Sequence, residues 1–141
     1  MARDANTISM LGQAYSLLGF QIVDGVVGAG FPHKPKHSAV FAQISPEGSR
    51  LTELARKANM TPQSMAELVD ELVDLGYVVR RPDPSDGRAK LIVLTQRGRA
   101  AVAAGRQTIE GLEERVTDVL GERGHRELRR LLSRLLDASD A

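Results

Sequence analysis

The hydrophobic residues near the start of the chain recur every three or four positions, the spacing of a helix with one apolar face. Thr7 is the predicted N-cap, and glycines at 25, 28 and 30 followed by Phe31-Pro32 predict the end of this helix. The apolar face is broader than one neighbour inside a small domain needs, so part of it is expected to meet a second subunit. Its seam consists of Ile8, Leu11, Tyr15, Leu18 and Ile22.

A pair of short helices is predicted in the middle of the chain. Thr52 is the predicted cap of the first helix and Thr61 that of the second, where Pro62 occupies the first helical position. Gly76 predicts the C-terminal end of the second helix. Two short helices joined by a tight turn are typical of a helix-turn-helix, here at about 52–75. The inner face of its second helix is predicted to be Met65, Leu68, Val69 and Leu72.

A β-hairpin with a long polar tip is predicted next, at about 77–95. Residues 77–81 and 90–95 have strand composition, and residues 82–87 are dense in proline, aspartate and glycine. Thr95 is the predicted cap of a helix that runs to about residue 120, and glycines at 121 and 124 predict a break before a last helix. The pattern therefore predicts a mainly α fold with one small β-hairpin.

Positive charge is concentrated in the hairpin. The whole chain of 141 residues has 19 Lys+Arg against 18 Asp+Glu, a formal net charge of +1. Residues 78–106 contain seven basic and two acidic side chains, however, whereas residues 46–77 contain three basic and six acidic ones. A basic hairpin beside a helix-turn-helix favours binding to duplex DNA, although a charged stretch that is simply solvated explains the hairpin alone equally well.

Several classes of chemistry have no residues to support them. The chain has no cysteine, which excludes disulfides, thiolate metal sites and thiol redox switching. His33 and His37 flank Pro35, which favours a loop and not the helix that a four-residue metal-ligand spacing requires. No nucleophile triad or pair of catalytic carboxylates is present, so we expect no metal, no cofactor and no enzymatic activity.

A membrane span and a secretory leader are not expected. The apolar stretch at 8–31 contains Gln13, Gln21 and Asp24 and has no basic anchors close to its ends. The segment 1–6 carries one positive and one negative charge, which differs from the basic start of a secretory signal. The sequence therefore predicts a cytoplasmic protein.

Five segments together resemble the winged helix-turn-helix of MarR-family transcriptional regulators. They are LTELA at 51–55, MTPQSM at 60–65, LGYV at 75–78, RPDPSDGRAK at 81–90 and LTQRG at 94–98. The wing signature Asp-Pro-x-Asp-x-Arg, followed by a strand ending in Leu-Thr-x-x-Gly, occurs in the family's order and spacing. The resemblance implies an N-terminal dimerisation helix at 1–31, a DNA-binding domain at 32–99 and C-terminal dimerisation helices at 100–141.

The resemblance also implies a function. A homodimer would present two recognition helices to a pseudo-palindromic double-stranded operator, as a repressor that a small, often aromatic, ligand releases. With no cysteine, release by thiol oxidation is excluded. The family layout places ligand-pocket residues at Tyr15, Phe20, His37 and Phe41. It places the dimer interface at Ile8, Leu11, Tyr15, Leu18, Val116, Leu128, Leu132 and Leu135.

The DNA contacts implied by the resemblance fall on two elements. In the recognition helix, Thr61 and Pro62 form the start, Gln63 and Ser64 reach base edges, and Thr61 acts mainly as a cap. In the wing, the arginine at the tip enters the minor groove and an aspartate holds it in place. The wing residues expected to contact DNA or support that contact are Arg88, Asp86, Lys90 and Arg81, with Arg80 as a further phosphate partner or a local ion pair.

The sequence departs from the family at two positions of the recognition helix. Glu67 and Glu71 stand where many members have basic residues, and a carboxylate near phosphates is repulsive, although it accepts a hydrogen bond from a cytosine amino group. Three explanations remain open. The helix enters the groove by its first turn, or binding relies on the wing, or the isolated protein binds DNA poorly.

A second hypothesis is a winged helix that serves as a protein-interaction or architectural module. It rests on the acidic outer face of the recognition helix, formed by Glu67, Asp70, Glu71 and Asp74. Salt-insensitive binding to a protein partner, and no specific duplex site, would distinguish it from a DNA-binding regulator.

Overall fold

A computed structural model describes residues 5–139 and divides the chain into two compact units, Met1–Arg106 and Gln107–Ala141. The segment 1–4, from which we expected no secretory leader, lies outside the described residues. The helices are α1 (Thr7–Gly28), α2 (Ser38–Phe41), α3 (Leu51–Lys57), α4 (Pro62–Asp74) and α5 (Gln96–Ser139), with a 3-10 turn at Pro35–His37. The strands are β1 (Ser49–Arg50), β2 (Val78–Asp83) and β3 (Asp86–Leu94).

Helix α1 leaves most of its apolar face uncovered within the first unit. Asn6, and not Thr7, is its N-cap, because the Asn6 side chain accepts a hydrogen bond from the Ser9 N–H at 2.8 Å. The helix continues through Gly25 and ends at Gly28, so the first glycine does not terminate it. Only Val23 and Val26 are buried. Residues 5–139 contain no helix long and apolar enough to cross a membrane.

The helix-turn-helix is built as its caps predict, with one correction. Thr61 caps α4 by accepting from the Ser64 N–H at 3.1 Å. At the other end Gly76, with a φ of 84°, closes a Schellman motif. Helix α3 begins at Leu51, one residue before the predicted cap, so Thr52 lies inside the helix. The N-cap of α3 is Arg50, whose side chain makes no capping hydrogen bond. The predicted inner face of α4 is buried. It packs in one core with Leu54, Ala55, Tyr77, Val78, Ile92 and Leu94.

The two strands of the hairpin are longer than predicted, and β3 also pairs with a strand that the pattern did not indicate. The strands lie in the order β1-β3-β2 and are all antiparallel, with Ser49 opposite Ile92 and Val78 opposite Leu94. Strand β2 extends through Pro82, where the pattern predicts a loop. Proline is tolerated there because β2 is an edge strand. We refer to the hairpin of β2 and β3 as the wing.

The start of α5 is locked against the end of α4 and the start of the wing. Thr95 caps α5 by accepting from the Gly98 N–H at 3.0 Å, and its hydroxyl donates to the Gly76 carbonyl at 2.6 Å. Its own N–H donates to the Tyr77 carbonyl at 3.0 Å. A Cβ on Gly98 would lie 2.0 Å from that same carbonyl oxygen. The glycine of the Leu-Thr-x-x-Gly motif, Gly98, therefore allows α5 to pack closely against the Tyr77 carbonyl.

The second unit contains the predicted helix break. Gly121, with φ 75° and ψ 163°, interrupts α5, so the helical segments are 96–120 and 122–139. The His125 side chain, which follows the break, contacts two side chains that precede it. His125 Nε2 lies 3.0 Å from Glu113 Oε2, and Nδ1 lies 2.8 Å from Thr117 Oγ1. Beyond the break the apolar side chains remain largely uncovered, among them Leu128, Leu131, Leu135 and Leu136.

Candidate nucleic-acid interface

The first turn of α4 presents polar groups to solvent. Thr61, Pro62, Gln63 and Ser64 are all exposed, while Met65 directly after them is completely buried. The Thr61 hydroxyl also bonds the Ser64 hydroxyl at 2.9 Å, so the cap fixes the Ser64 side chain as well as its backbone. A fixed, exposed helix start places N–H donors and short polar side chains where a phosphate or a base edge can approach.

The acidic side chains of α4 divide into paired and unpaired groups. Asp70 is paired with Arg80 of β2, with 2.6 Å between Oδ1 and Nη2. Glu71 accepts from Lys36 at 2.8 Å and from His37 at 2.6 Å. These two bonds hold the pKa of the Glu71 carboxyl at about 2, with that from Lys36 first in size. Glu67 is exposed and has no polar partner among residues 5–139, so it, and not Glu71, carries the unneutralised charge next to the first turn.

The tip of the wing carries an exposed arginine, Arg88. Asp86 Oδ1 accepts from the backbone N–H of Arg88 at 3.1 Å. Asp86 thus shapes the turn. The resemblance implies that this aspartate also holds the Arg88 guanidinium, but in the structure it does not. Within the described part of the chain, the Arg88 guanidinium has no hydrogen bond or ion pair, and the residue is exposed. An extended cation on an ordered turn is suited to a narrow, electronegative minor groove.

The bend of the wing depends on Asp83, which the sequence did not single out as a site residue. Its Oδ1 accepts from the Ser85 N–H at 2.9 Å and the Ser85 hydroxyl at 2.8 Å, an Asx turn that forms the hairpin bend. Its Oδ2 accepts two bonds from Arg50 of β1, at 2.7 and 2.9 Å. The bonds from Ser85, followed by the Arg50 bond, lower the pKa of Asp83 to about 2. The Asp-Pro signature could have indicated this turn, but nothing in the sequence pointed to Arg50.

Several basic residues of the hairpin region are structural. Arg97 donates to the Leu75 carbonyl at 3.2 Å, and its guanidinium carbon lies 4.9 Å from the centroid of the Tyr77 ring. Arg99 donates to the Leu94 carbonyl at 3.1 Å. With Arg80 paired to Asp70, the wing cations that remain exposed and unpaired within residues 5–139 are Arg81, Arg88 and Lys90.

A small pocket lies in the first unit, between α1 and the segment around the 3-10 turn. Its volume is about 180 Å³, and it is lined by Tyr15, Ser16, Gly19, Phe20, Val23, Pro35 and Ser38. Tyr15 and Phe20 were expected to line such a pocket. His37 and Phe41 were expected there too but are not in its wall. His37 is buried beside Glu71, and the Phe41 ring packs edge-on against Tyr77 with centroids 5.5 Å apart.

The turn at 35–37 corrects the predicted loop, because Pro35 occupies the first position of a 3-10 helix, where its missing N–H is tolerated. Among residues 5–139, no group of three or more His, Asp or Glu side chains is arranged to hold a metal ion.

Comparison with known proteins identifies the family. The profile described as "MarR family" matches residues 34–89, which span the 3-10 turn, the helix-turn-helix and the wing tip. The Mycobacterium tuberculosis MarR-family protein Rv2887, solved in complex with salicylic acid, is 30% identical, covering 96% of this chain and 99% of that one at a TM-score of 0.66. The chain belongs to the MarR family. Members of this family are transcriptional regulators and not enzymes.

Two further relatives carry informative names. The HTH-type transcriptional repressor Rv2887 of Mycobacterium tuberculosis H37Rv is 36% identical over 88 residues, which is 62% of this chain and 63% of the relative. The alignment thus spans less than two thirds of that relative. The repressor CouR, solved on a 23-mer DNA duplex, is 25% identical, covering 96% of this MarR-family chain and 93% of CouR at a TM-score of 0.73.

Proposed function

We propose that this MarR-family chain forms a homodimer that binds a pseudo-palindromic site in double-stranded DNA and acts as a cytoplasmic repressor. The observation that carries the proposal is Arg88, exposed and without a polar partner among the described residues, at the tip of an ordered wing in the same domain as a capped and exposed recognition-helix start. CouR, which is similar across nearly its whole length, is a repressor solved on duplex DNA.

The contacts divide into two kinds. Gln63 and Ser64 read base edges in the major groove, and the start of α4 binds phosphate with its backbone N–H groups. Arg88 enters the minor groove on the wing turn that Asp86 shapes. Arg81 and Lys90 bind phosphates. Glu67 is placed to accept from a cytosine amino group, or it weakens binding by repelling the backbone.

A fluorescence-anisotropy titration against the chain's own upstream region tests this function. We expect Arg88→Ala to weaken binding about tenfold or more, in line with about 1–3 kcal/mol for a good groove contact. Arg123→Ala removes an equal charge from the second unit and should leave the affinity within about twofold. The logarithm of the affinity should fall steeply with the logarithm of salt concentration. Equal affinities for the two variants would refute the assignment of the wing.

The dimerisation region is proposed to comprise residues 1–31 and 100–141. Support comes from the uncovered apolar side chains of α1, where Ile8 is 80% and Tyr15 is 76% exposed, and from Leu135, which is 54% exposed. Exposed apolar area of this kind is characteristic of a subunit interface. Leu11, Leu18, Val116, Leu128 and Leu132 complete the proposed interface.

Sedimentation tests the dimer. Leu135→Asp should shift the chain toward monomer, whereas Ser133→Asp, on an exposed position of the same helical segment, should not. A folded monomer for the unaltered chain would overturn the model of two recognition helices on one operator.

Release by a small aromatic ligand is the third part of the proposal. The pocket beside Tyr15 and Phe20 supports it, as does the relative solved with salicylic acid. Salicylate should release the labelled duplex from the unaltered chain. Release should need at least tenfold more salicylate after Phe20→Ala, and an unchanged requirement would argue against this pocket.

The protein-interaction hypothesis has lost part of its basis. It relied on four outward acidic side chains on α4, but Asp70 and Glu71 are ion-paired within the domain. Only Glu67 and Asp74 remain exposed without a polar partner within the described residues, which favours the DNA-binding function.

A further inference from the structure

One three-residue turn is shared between the pocket and the recognition helix. Pro35, which begins the turn, and Ser38, directly after it, line the pocket. The two residues between them, Lys36 and His37, face α4 and bind Glu71. A group that enters the pocket therefore presses on a segment whose intervening side chains hold the recognition helix.

Both oxygens of the Glu71 carboxylate are occupied by this turn. Lys36 Nζ lies 2.8 Å from Oε1 and His37 Nε2 lies 2.6 Å from Oε2. Gln63, Glu67 and Glu71 follow one another at intervals of four residues, so they lie along one side of α4. A displacement at Glu71 is thereby transmitted to the side of the helix that begins with Gln63.

The turn is rigid enough to transmit a displacement. The His37 N–H donates to the Lys34 carbonyl at 3.0 Å, and the Lys34 N–H donates back to His37 Nδ1 at 3.0 Å. Because Nδ1 is an acceptor, the imidazole proton in this arrangement is on Nε2, which donates to Glu71. His37 is 1% exposed, so its ring is enclosed by the surrounding side chains.

We infer that the Lys36–His37–Glu71 cluster is the link through which occupation of the pocket repositions the recognition helix. The three residues are positioning residues, since none of them is in the wall of the pocket. The inference rests on the proposed function, because it assigns how the pocket controls DNA binding. It also accounts for a glutamate at 71, since a basic residue there would repel Lys36.

The test fills the pocket by substitution and needs no ligand. Gly19 lines the pocket, and a Cβ on it meets no atom within 4 Å, so Gly19→Leu places an isobutyl group in that space. Gly12→Leu is the matched control, because Gly12 is on the same helix, is equally open and is not part of the pocket wall. Each change is made in the unaltered background and with His37→Asn.

The His37→Asn change separates two roles of one side chain. Asparagine Oδ1 replaces Nδ1 as the acceptor for the Lys34 N–H, so the turn keeps its cap, but no atom reaches Glu71. Should His37→Asn fail to fold by circular dichroism, Glu71→Ala replaces it, because the Glu71 side chain is 40% exposed and its truncation leaves no cavity.

Two readouts are compared, affinity for the duplex and amide hydrogen exchange of residues 62–74. With the link intact, Gly19→Leu should lower affinity about tenfold, within the usual range of allosteric coupling, and accelerate exchange in α4. In the His37→Asn background, where the link is broken, the effects of Gly19→Leu on affinity and on exchange should both fall below about twofold. Gly12→Leu should leave exchange in α4 unchanged, because Gly12 is not in the pocket wall, and Lys36→Arg should retain the full response where Lys36→Met reduces it.

The inference is overturned if Gly19→Leu has the same effect in both backgrounds, or if it has no effect on α4 exchange in the unaltered one. Failure of the unaltered chain to bind any duplex would instead count against the proposed function. The exchange measurement would still decide on the link in that case, because it requires no DNA.

Discussion

Replacing Gly98 by alanine tests the packing that joins the wing to the last helix. The added Cβ would lie 2.0 Å from the Tyr77 carbonyl oxygen and 3.0 Å from Leu94 Cδ2, whereas real Cβ atoms essentially never lie within 3.0 Å of another heavy atom. Helix α5 and the Tyr77 carbonyl must therefore separate by a distance that side-chain adjustment cannot supply.

Neither α5 nor the Tyr77 carbonyl can easily move to relieve this contact. The Tyr77 carbonyl accepts the Thr95 N–H, and the Tyr77 hydroxyl donates to the Pro32 carbonyl at 2.6 Å while its ring is fully buried. We therefore expect a loss of about 3 kcal/mol, the upper end of what overpacking usually costs. For a chain of this length that loss corresponds to a fall in melting temperature of about 10 °C.

The matched control is Gly105→Ala in the same helix. There the new Cβ would meet Val26 Cγ2 at 3.5 Å, an ordinary contact, so the higher helix propensity of alanine should stabilise by about 0.5–1 kcal/mol. Both variants are compared with the unaltered chain by urea unfolding at one fixed protein concentration, because the stability of the proposed dimer would depend on concentration. Changes of the same sign in the two variants would refute the reasoning.

Three further predictions concern the caps, the wing and the recognition helix. Asp83 has a folded-state pKa of about 2 against an ordinary 3.8, so its contribution to stability is complete above about pH 4 and is lost as pH falls towards 2. Asp83→Asn should remove that part of the acid dependence in unfolding measured from pH 7 to pH 2, and an unchanged acid limb would contradict it. Thr61→Ala should destabilise by about 1 kcal/mol in urea, whereas Thr52→Ala, inside α3, should cost less than half as much. Glu67→Gln should tighten duplex binding about threefold at low salt, with the difference shrinking at high salt. Weaker binding would instead indicate that Glu67 accepts from a base.

The elements of the helix-turn-helix could be predicted because their signals are local. Thr61-Pro62 and Gly76 mark the ends of α4 by capping chemistry that depends on neighbouring residues alone. Strand β1 could not be predicted, because two residues are too few to show a periodicity. The extent of β2 was underestimated because Pro82 signals a turn unless the strand is known to lie at a sheet edge.

Of the electrostatics of the site, only the net charge of each segment could be predicted from the sequence. The sequence shows an acidic recognition helix and a basic hairpin, but it does not show which charges meet. Asp70 pairs with Arg80, ten residues along the chain, and Glu71 bonds with Lys36 and His37, more than thirty residues away in sequence. Such pairs depend on the tertiary arrangement, so Glu71 was expected to oppose DNA when its charge is already compensated.

The position of Asp83 has a consequence for how operator preference can change. Asp83, at the bend, connects the wing to β1 through Arg50, and the bend depends on Asp83 and Ser85 without using the side chains at 87–89. Substitutions at Arg88 and its neighbours therefore leave the frame of the hairpin in place. If the wing tip reads the minor groove as we propose, its sequence preference can change by substitution at the tip without a second mutation to restore the fold.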